Sequence, residues 1–357
     1  MKFLFFAGGT TVTGMEVALL SLMSRLNAIG HQATAIVSGW NDGAYPPMLD
    51  AAGIEHHEVF LGRIYRNNPD WTRGTLYALR EAARDIRAVA ASLRPDWVIL
   101  GEMQSLLFCS LILPGARRAL YLHGEPERIM RHPIAGHLVG WPVRRVICVS
   151  EFLVHKVRRT PLRRLPLSVV HNGTALRATD GRAPASGPVR LGIVGRISKQ
   201  KRHTRLLDAL AQLPVSSFHL YIVGGSDRIL QDQVAVRGLS SHVTWTGFIG
   251  DRAAIYASLD IVVAPAVDEG FGMTVVEAGA FGLPVIAARS GAFPEVVRHG
   301  ETGLLVEPDN ADALARALRR LIVDVALRDR MGCAARAHVA ANFTVEKMAD
   351  RFVAALG

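Results

Sequence analysis

Apolar and polar positions along this chain follow two rhythms that exchange places from one end to the other. Short apolar runs at 2–7, 32–37, 55–61, 97–101, 119–123, 145–149 and 167–171 predict buried strands, and helix-like periodicity occupies 15–28, 74–93 and 151–158 between them. Strands that alternate with helices predict right-handed βαβ units and a parallel sheet. The apolar rhythm stops over residues 176–188, a stretch rich in glycine and proline, which predicts a linker. A second alternation begins at Val189–Gly195, with strands near 218–223, 243–246, 261–265 and 284–288 and helices at 311–322, 327–340 and 344–356. The pattern predicts an α/β chain of two doubly wound domains, 1–175 and 189–357, with the last helix free to pack back on the first. Such domains, with a cleft between them, keep their ligands at the carboxyl ends of the strands.

Length and composition agree with this division. At 357 residues the chain is too long for one average core, and half of its residues are hydrophobic. It has no run of 18 apolar residues, so no ordinary transmembrane helix is expected. Met1–Ala7 is too short for a signal peptide and is followed by Gly8-Gly9-Thr10, so it reads as a first buried strand. Cys109, Cys148 and Cys333 are odd in number, far apart and set among apolar residues, as expected of inert thiols in a reducing cytoplasm.

The net charge is +10, and residues 1–175 carry 20 Lys/Arg against 13 Asp/Glu, or +7 of it. Arg117-Arg118, Arg144-Arg145, His155–Arg159 and Arg163-Arg164 hold much of the excess. A solvated basic face is the plain explanation. The sharper one is peripheral contact with anionic lipid head groups on the inner face of a membrane, or with a phosphorylated acceptor. Nucleic acid is not an expected partner, because aromatic content is low and no stacking motif accompanies the charge.

The chemistry gathers around Asp268-Glu269-Gly270-Phe271-Gly272-Met273-Thr274-Val275-Val276-Glu277, which follows the apolar run at 261–265. A strand, a glycine turn and a helix start form a place to hold an anion, since the glycines admit close approach and the helix offers unpaired N–H groups. Glu269 falls before the helix and Glu277 in its first turn, both within reach of the mouth. Thr274 to Glu277 alternatively fits a capping box, with Thr274 as N-cap. A second loop, Gly195-Arg196-Ile197-Ser198-Lys199-Gln200-Lys201, carries two cations five residues apart, Arg196 and Lys201, that would offset the charge growing on a departing diphosphate. No Asp-x-Asp pair occurs, so neither a metal ion nor another cofactor is expected.

Glu269 and Glu277 with Gly-Phe-Gly between them, followed by Ala278, Gly282-Leu283-Pro284-Val285 and Gly291-Ala292-Phe293-Pro294-Glu295, resemble the donor-site signature of the family-4 retaining glycosyltransferases. The resemblance implies the GT-B fold, two Rossmann-like domains facing each other across a cleft, with acceptor on the first and nucleotide sugar on the second. It implies that Glu269 faces the transferred sugar and Glu277 the ribose, with Phe271 and Gly272 alongside. Gly14, Arg196, Lys201, Met273 and Thr274 then match positions around the donor diphosphate. Gly224 and Phe248 match strand-end loops at the nucleotide. His123, at the end of its strand, matches a histidine near sugar and acceptor. After His171-Asn172-Gly173 the family usually has an acidic residue, whereas this chain has Thr174-Ala175.

These readings converge on a cytoplasmic, metal-independent, retaining hexosyltransferase. It would use a nucleoside-diphosphate sugar on a saccharide, lipid-linked or small-molecule acceptor in cell-surface glycan synthesis. A sugar-nucleotide epimerase or phosphorylase on the same fold, or a non-catalytic nucleotide-sugar-binding subunit, remain alternatives.

Overall fold

The computed structural model describes residues 1–7, 11–60, 69–101, 109, 112, 113, 115–126, 143–176, 187–247, 249 and 252–357. Two compact units contain them: Met1–Gly173 with Val345–Gly357, and Thr174–Thr344. Most of the glycine- and proline-rich stretch at 176–188, together with Gly8–Thr10, Glu102 and Phe248, lies outside the described residues.

The first unit holds seven strands: β1 (Lys2–Ala7), β2 (Gln32–Ser38), β3 (His56–Val59), β4 (Trp97–Leu100), β5 (Arg118–Leu122), β6 (Val143–Cys148) and β7 (Leu167–Val169). Between them run α1 (Gly14–Ala28), α2 (Tyr45–Ala51), α3 (Pro69–Leu93) and α4 (Glu151–Val157). The second unit holds β8 (Val189–Val194), β9 (Phe218–Val223), β10 (Val243–Gly247), β11 (Ile261–Ala264), β12 (Val285–Ala288) and β13 (Gly303–Val306). Its helices are α5 (His203–Leu210), α6 (Arg228–Val236), α7 (Arg252–Ala257), α8 (Met273–Ala280), α9 (Phe293–Val296), α10 (Ala311–Val323) and α11 (Val325–Asn342). A last helix, α12 (Val345–Leu356), returns to the first unit.

Both sheets are parallel and repeat one topology, β3-β2-β1-β4-β5-β6-β7 and β10-β9-β8-β11-β12-β13. Their central strands are buried along their length, as in β11, which is why they read as unbroken apolar runs. In each sheet the chain first winds outward from one strand, then crosses back to that strand's other side. The order reverses between β1 and β4, and between β8 and β11. There, successive loops leave in opposite directions and open a crevice at the carboxyl ends.

Arg118, Cys333 and β13 depart from expectation. Arg118 does not add to a basic surface: it is 2% exposed and donates to the Leu113 carbonyl. Cys333 is exposed, because the helical period of α11 turns Met331, Ala335 and Val339 inward and position 333 outward. β13 escaped detection as a strand since it has only four residues and starts on glycine. Helix α12 belongs with the first unit because Phe352 is fully buried there against the rings of Phe3, Phe5 and Tyr121. Among the described residues no helix is long and apolar enough to cross a membrane.

Candidate active site

The second unit's crevice is built by the loops that follow β8 and β11, neighbours paired at Leu191 with Ile261 and at Gly192 with Val262. After β8 the chain passes Gly195 at φ +133° and makes a 3₁₀ turn over Lys199–Lys201. A Cβ on Gly224, at the end of β9, would stand 2.7 Å from the Gly195 carbonyl oxygen, so these two glycines let the strand ends close up. Across Gly195 lies the Lys201 side chain, whose ammonium donates to Glu269 Oε2 at 3.0 Å. Lys201 and Glu269, 68 positions apart, thus meet at the point where the strand order reverses.

Backbone and side-chain hydrogen bonds stitch the two loops together. The Val267 amide donates to the Gln200 carbonyl, and Gln200 Nε2 returns a bond to the Asp268 carbonyl, both at 3.0 Å. Asp268 has a left-handed backbone (φ +50°) and donates its N–H to the Ser290 hydroxyl at 3.1 Å. The Ala292 amide donates to the Glu269 carbonyl at 2.9 Å. At Gly291 an added Cβ would come within 2.5 Å of the Glu269 backbone, so only glycine lets the β12 loop hold Glu269 this closely. Nothing local in this Gly-Ala-Phe-Pro-Glu segment marks it as the buttress of Glu269, because the contact spans more than twenty residues.

Helix α8 starts on Gly272, its N-cap at φ +95°, with no side chain covering the helix end. Thr274 is therefore the second helical residue and not the N-cap, and Glu277 lies in the second turn. The expected capping box is absent because glycine takes the left-handed conformation that opens the helix two residues earlier. The amides of Met273 and Thr274 make no hydrogen bond among the described residues, leaving donors and the positive end of the helix beside Glu269. Glu277 is 6% exposed and accepts from the Tyr256 hydroxyl at 2.6 Å. The Phe271 ring is also buried, edge-on to Phe343 at 5.9 Å, and packs the turn. Arg196 is exposed and makes no ion pair among the described residues.

His203 opens α5 immediately beyond this loop, with no local motif in the sequence to mark it. It is 5% exposed, and neither ring nitrogen has a hydrogen-bond partner among the described residues. Burial, and then the Lys201 charge, push its pKa down to about 4, so the ring is neutral and adds no positive charge to the loop.

In the first unit, Gly14 is the first residue of α1, behind Thr13, which forms a capping box with the buried Glu16. His123 follows β5 with its ring 4.4 Å from that of Tyr121. Its two ring nitrogens are sealed from solvent and unpartnered among the described residues, and burial pushes the imidazole down to about 3. A neutral ring can accept or donate a hydrogen bond but carries no charge.

Family models match nearly all of the chain: "Glycosyltransferase Family 4" over residues 12–177 and "Glycosyl transferases group 1" over 181–338. The chain belongs to the group 1, family 4 glycosyltransferases. The lipopolysaccharide core biosynthesis mannosyltransferase LpcC of Rhizobium leguminosarum bv. viciae is 33% identical over 232 residues, 59% of this chain and 64% of that protein. A D-inositol 3-phosphate glycosyltransferase of Rhodococcus opacus is 36% identical over 189 residues, 49% of this chain and 42% of that one. The matches thus span roughly half of these relatives' lengths. Among solved structures, a glycosyltransferase from Rickettsia africae ESF-5 superposes with a TM-score of 0.80 at 21% identity, covering 99% of this chain and 97% of that one. Anabaena Alr3699/HepE in complex with UDP and glucose gives 0.80 at 22%, covering 100% and 99%. The fold is GT-B.

Proposed function

We propose that this glycosyltransferase moves a hexose from a nucleoside-diphosphate sugar to an acceptor hydroxyl with retention of anomeric configuration, in the synthesis of a cell-surface glycan or glycolipid. The observation that carries the reading is the Lys201–Glu269 pair at the strand-order reversal of the second unit, beside the uncapped start of α8. A diphosphate there would draw on the Lys201 ammonium, the exposed Arg196 and the Met273 and Thr274 amides. Glu269, relieved of Lys201, would accept from hydroxyls of the sugar, and Glu277 from those of the ribose. The acceptor oxygen attacks the anomeric carbon on the face from which the diphosphate leaves, and a phosphate oxygen of the departing group takes the acceptor's proton. Fixed cations and helix dipoles then offset the leaving charge without a metal ion. HepE, of the same fold, was solved with UDP and glucose, and a similar mannosyltransferase of Mycobacterium tuberculosis is GDP-mannose-dependent, so uridine and guanosine donors are both candidates. The exposed Arg117, Arg144, Arg158, Arg159, Arg163 and Arg164 of the first unit suit a phosphorylated or lipid-linked acceptor at an anionic membrane surface.

The test is a thermal-shift panel of nucleotide sugars with EDTA present. The cognate donor at a hundred times its dissociation constant should add about 2.7 kcal/mol of stability. With an acceptor, NMR of the product should show the donor's anomeric configuration retained. No stabilisation by any nucleotide sugar would refute the reading.

A further inference from the structure

Glu277 is an expensive residue for its place. It stands in the middle of α8, whose Val275, Val276, Ala278 and Ala280 are also buried, and a carboxylate withdrawn from water is costly unless its lone pairs are used. An apolar side chain of similar volume would stabilise this position more. One of its oxygens is held by Tyr256, itself 1% exposed, through the 2.6 Å bond. That hydroxyl is in turn fixed. The Tyr256 ring stacks on Phe281, the C-cap of α8, with centroids 5.5 Å apart and planes at 28°. Tyr256 therefore lies along one turn of α8, stacked on Phe281 and reaching back to Glu277, and its hydrogen bond restricts the rotation of the carboxylate about its last bond.

From this geometry we infer that Tyr256 is a positioning residue that sets the Glu277 carboxylate for the vicinal hydroxyls of the donor's ribose. A carboxylate held by the Tyr256 hydroxyl meets that diol in fewer orientations than one without that bond. The inference rests on the donor-site reading above and assigns nothing to Tyr256 in the chemical step. Its signature is a loss confined to donors that carry the ribose hydroxyl.

The experiment measures calorimetric binding and kcat/KM for wild type and Tyr256→Phe, using UDP-glucose, GDP-mannose and the 2′-deoxyribose counterpart of each. Wild type should prefer the ribose form of its donor by about tenfold, the worth of one hydrogen bond to a charged group. Tyr256→Phe should lose most of that preference, chiefly in KM, while handling the deoxy donor as wild type does. Equal losses on both forms, or full retention of the preference, overturn the positioning role and leave the donor site standing. Should wild type bind none of these donors, the donor-site reading falls and the inference with it. If Tyr256→Phe does not fold by thermal melting, Phe281→Leu is read instead: it loosens the stack without touching the hydroxyl and should give an intermediate preference, whereas an unchanged one overturns the inference.

Discussion

Lys201 and Glu269 form an ion pair at 3.0 Å, and the proposed function gives each a different task once a donor arrives. Removing the cation should leave the leaving diphosphate under-compensated. Lys201→Ala is expected to raise the barrier by about 3 kcal/mol, roughly a hundredfold in turnover, by analogy with the loss of one preorganised donor to a developing anion. Steady-state kinetics with the cognate donor measure this, and wild-type turnover would remove Lys201 from the mechanism. His203 makes a separate prediction about pH. Its folded pKa of about 4 lies below the ordinary 6.5, so above pH 6.5 it is neutral folded or unfolded and contributes no slope. As pH falls from 6.5 toward 4, the unfolded chain takes a proton that the folded chain refuses, and stability declines. Urea unfolding between pH 7 and 4.5 should show that decline in wild type and a flatter curve in His203→Leu.

Helix α12 follows the second unit in sequence and completes the core of the first. Phe352 fills the space among Phe3, Phe5 and Tyr121, and Met348 sulfur accepts the Gly173 amide at 3.2 Å. Phe352→Ala leaves a cavity under β1 and is expected to destabilise the first unit by about 3–5 kcal/mol. Differential scanning calorimetry should show a lowered transition, and with two units present a second transition that does not move. Helix α8 was legible as a helix starting near Thr274, but its cap was not. Thr274 satisfies the capping pattern, and only the φ of +95° at Gly272, which carries no side-chain signal, decides where the helix begins.

The charge of the chain is unevenly used. Lys156 is consumed by Glu125 at 2.7 Å and lies over the Phe152 ring, and Arg118 is buried, while Arg158, Arg159, Arg163 and Arg164 stay exposed around the end of α4. If these arginines face an anionic membrane, each adds about 1 kcal/mol near the surface, and the attraction fades within a Debye length of about 8 Å at physiological salt. The chain should co-sediment with vesicles rich in anionic lipid at low salt, release in 0.5 M NaCl, and fail to bind when the four arginines are changed to glutamine. Binding that survives both changes would exclude an electrostatic origin.

What the sequence alone determined is what depends on neighbours in the chain: the alternation of strand and helix, the apolar run of each central strand, and the glycines and carboxylates of the donor turn. Periodicity and turn chemistry are local, so they survive without coordinates. The structure alone decided what depends on partners far away in sequence. The meeting of Lys201 with Glu269, the grip of Gly291 on the Glu269 backbone, the burial of Phe271, His203 and Arg118, and the reach of Tyr256 to Glu277 all require two loops or helices to be brought together. That assembly is set by the order of strands in the sheet, which no short stretch of residues encodes.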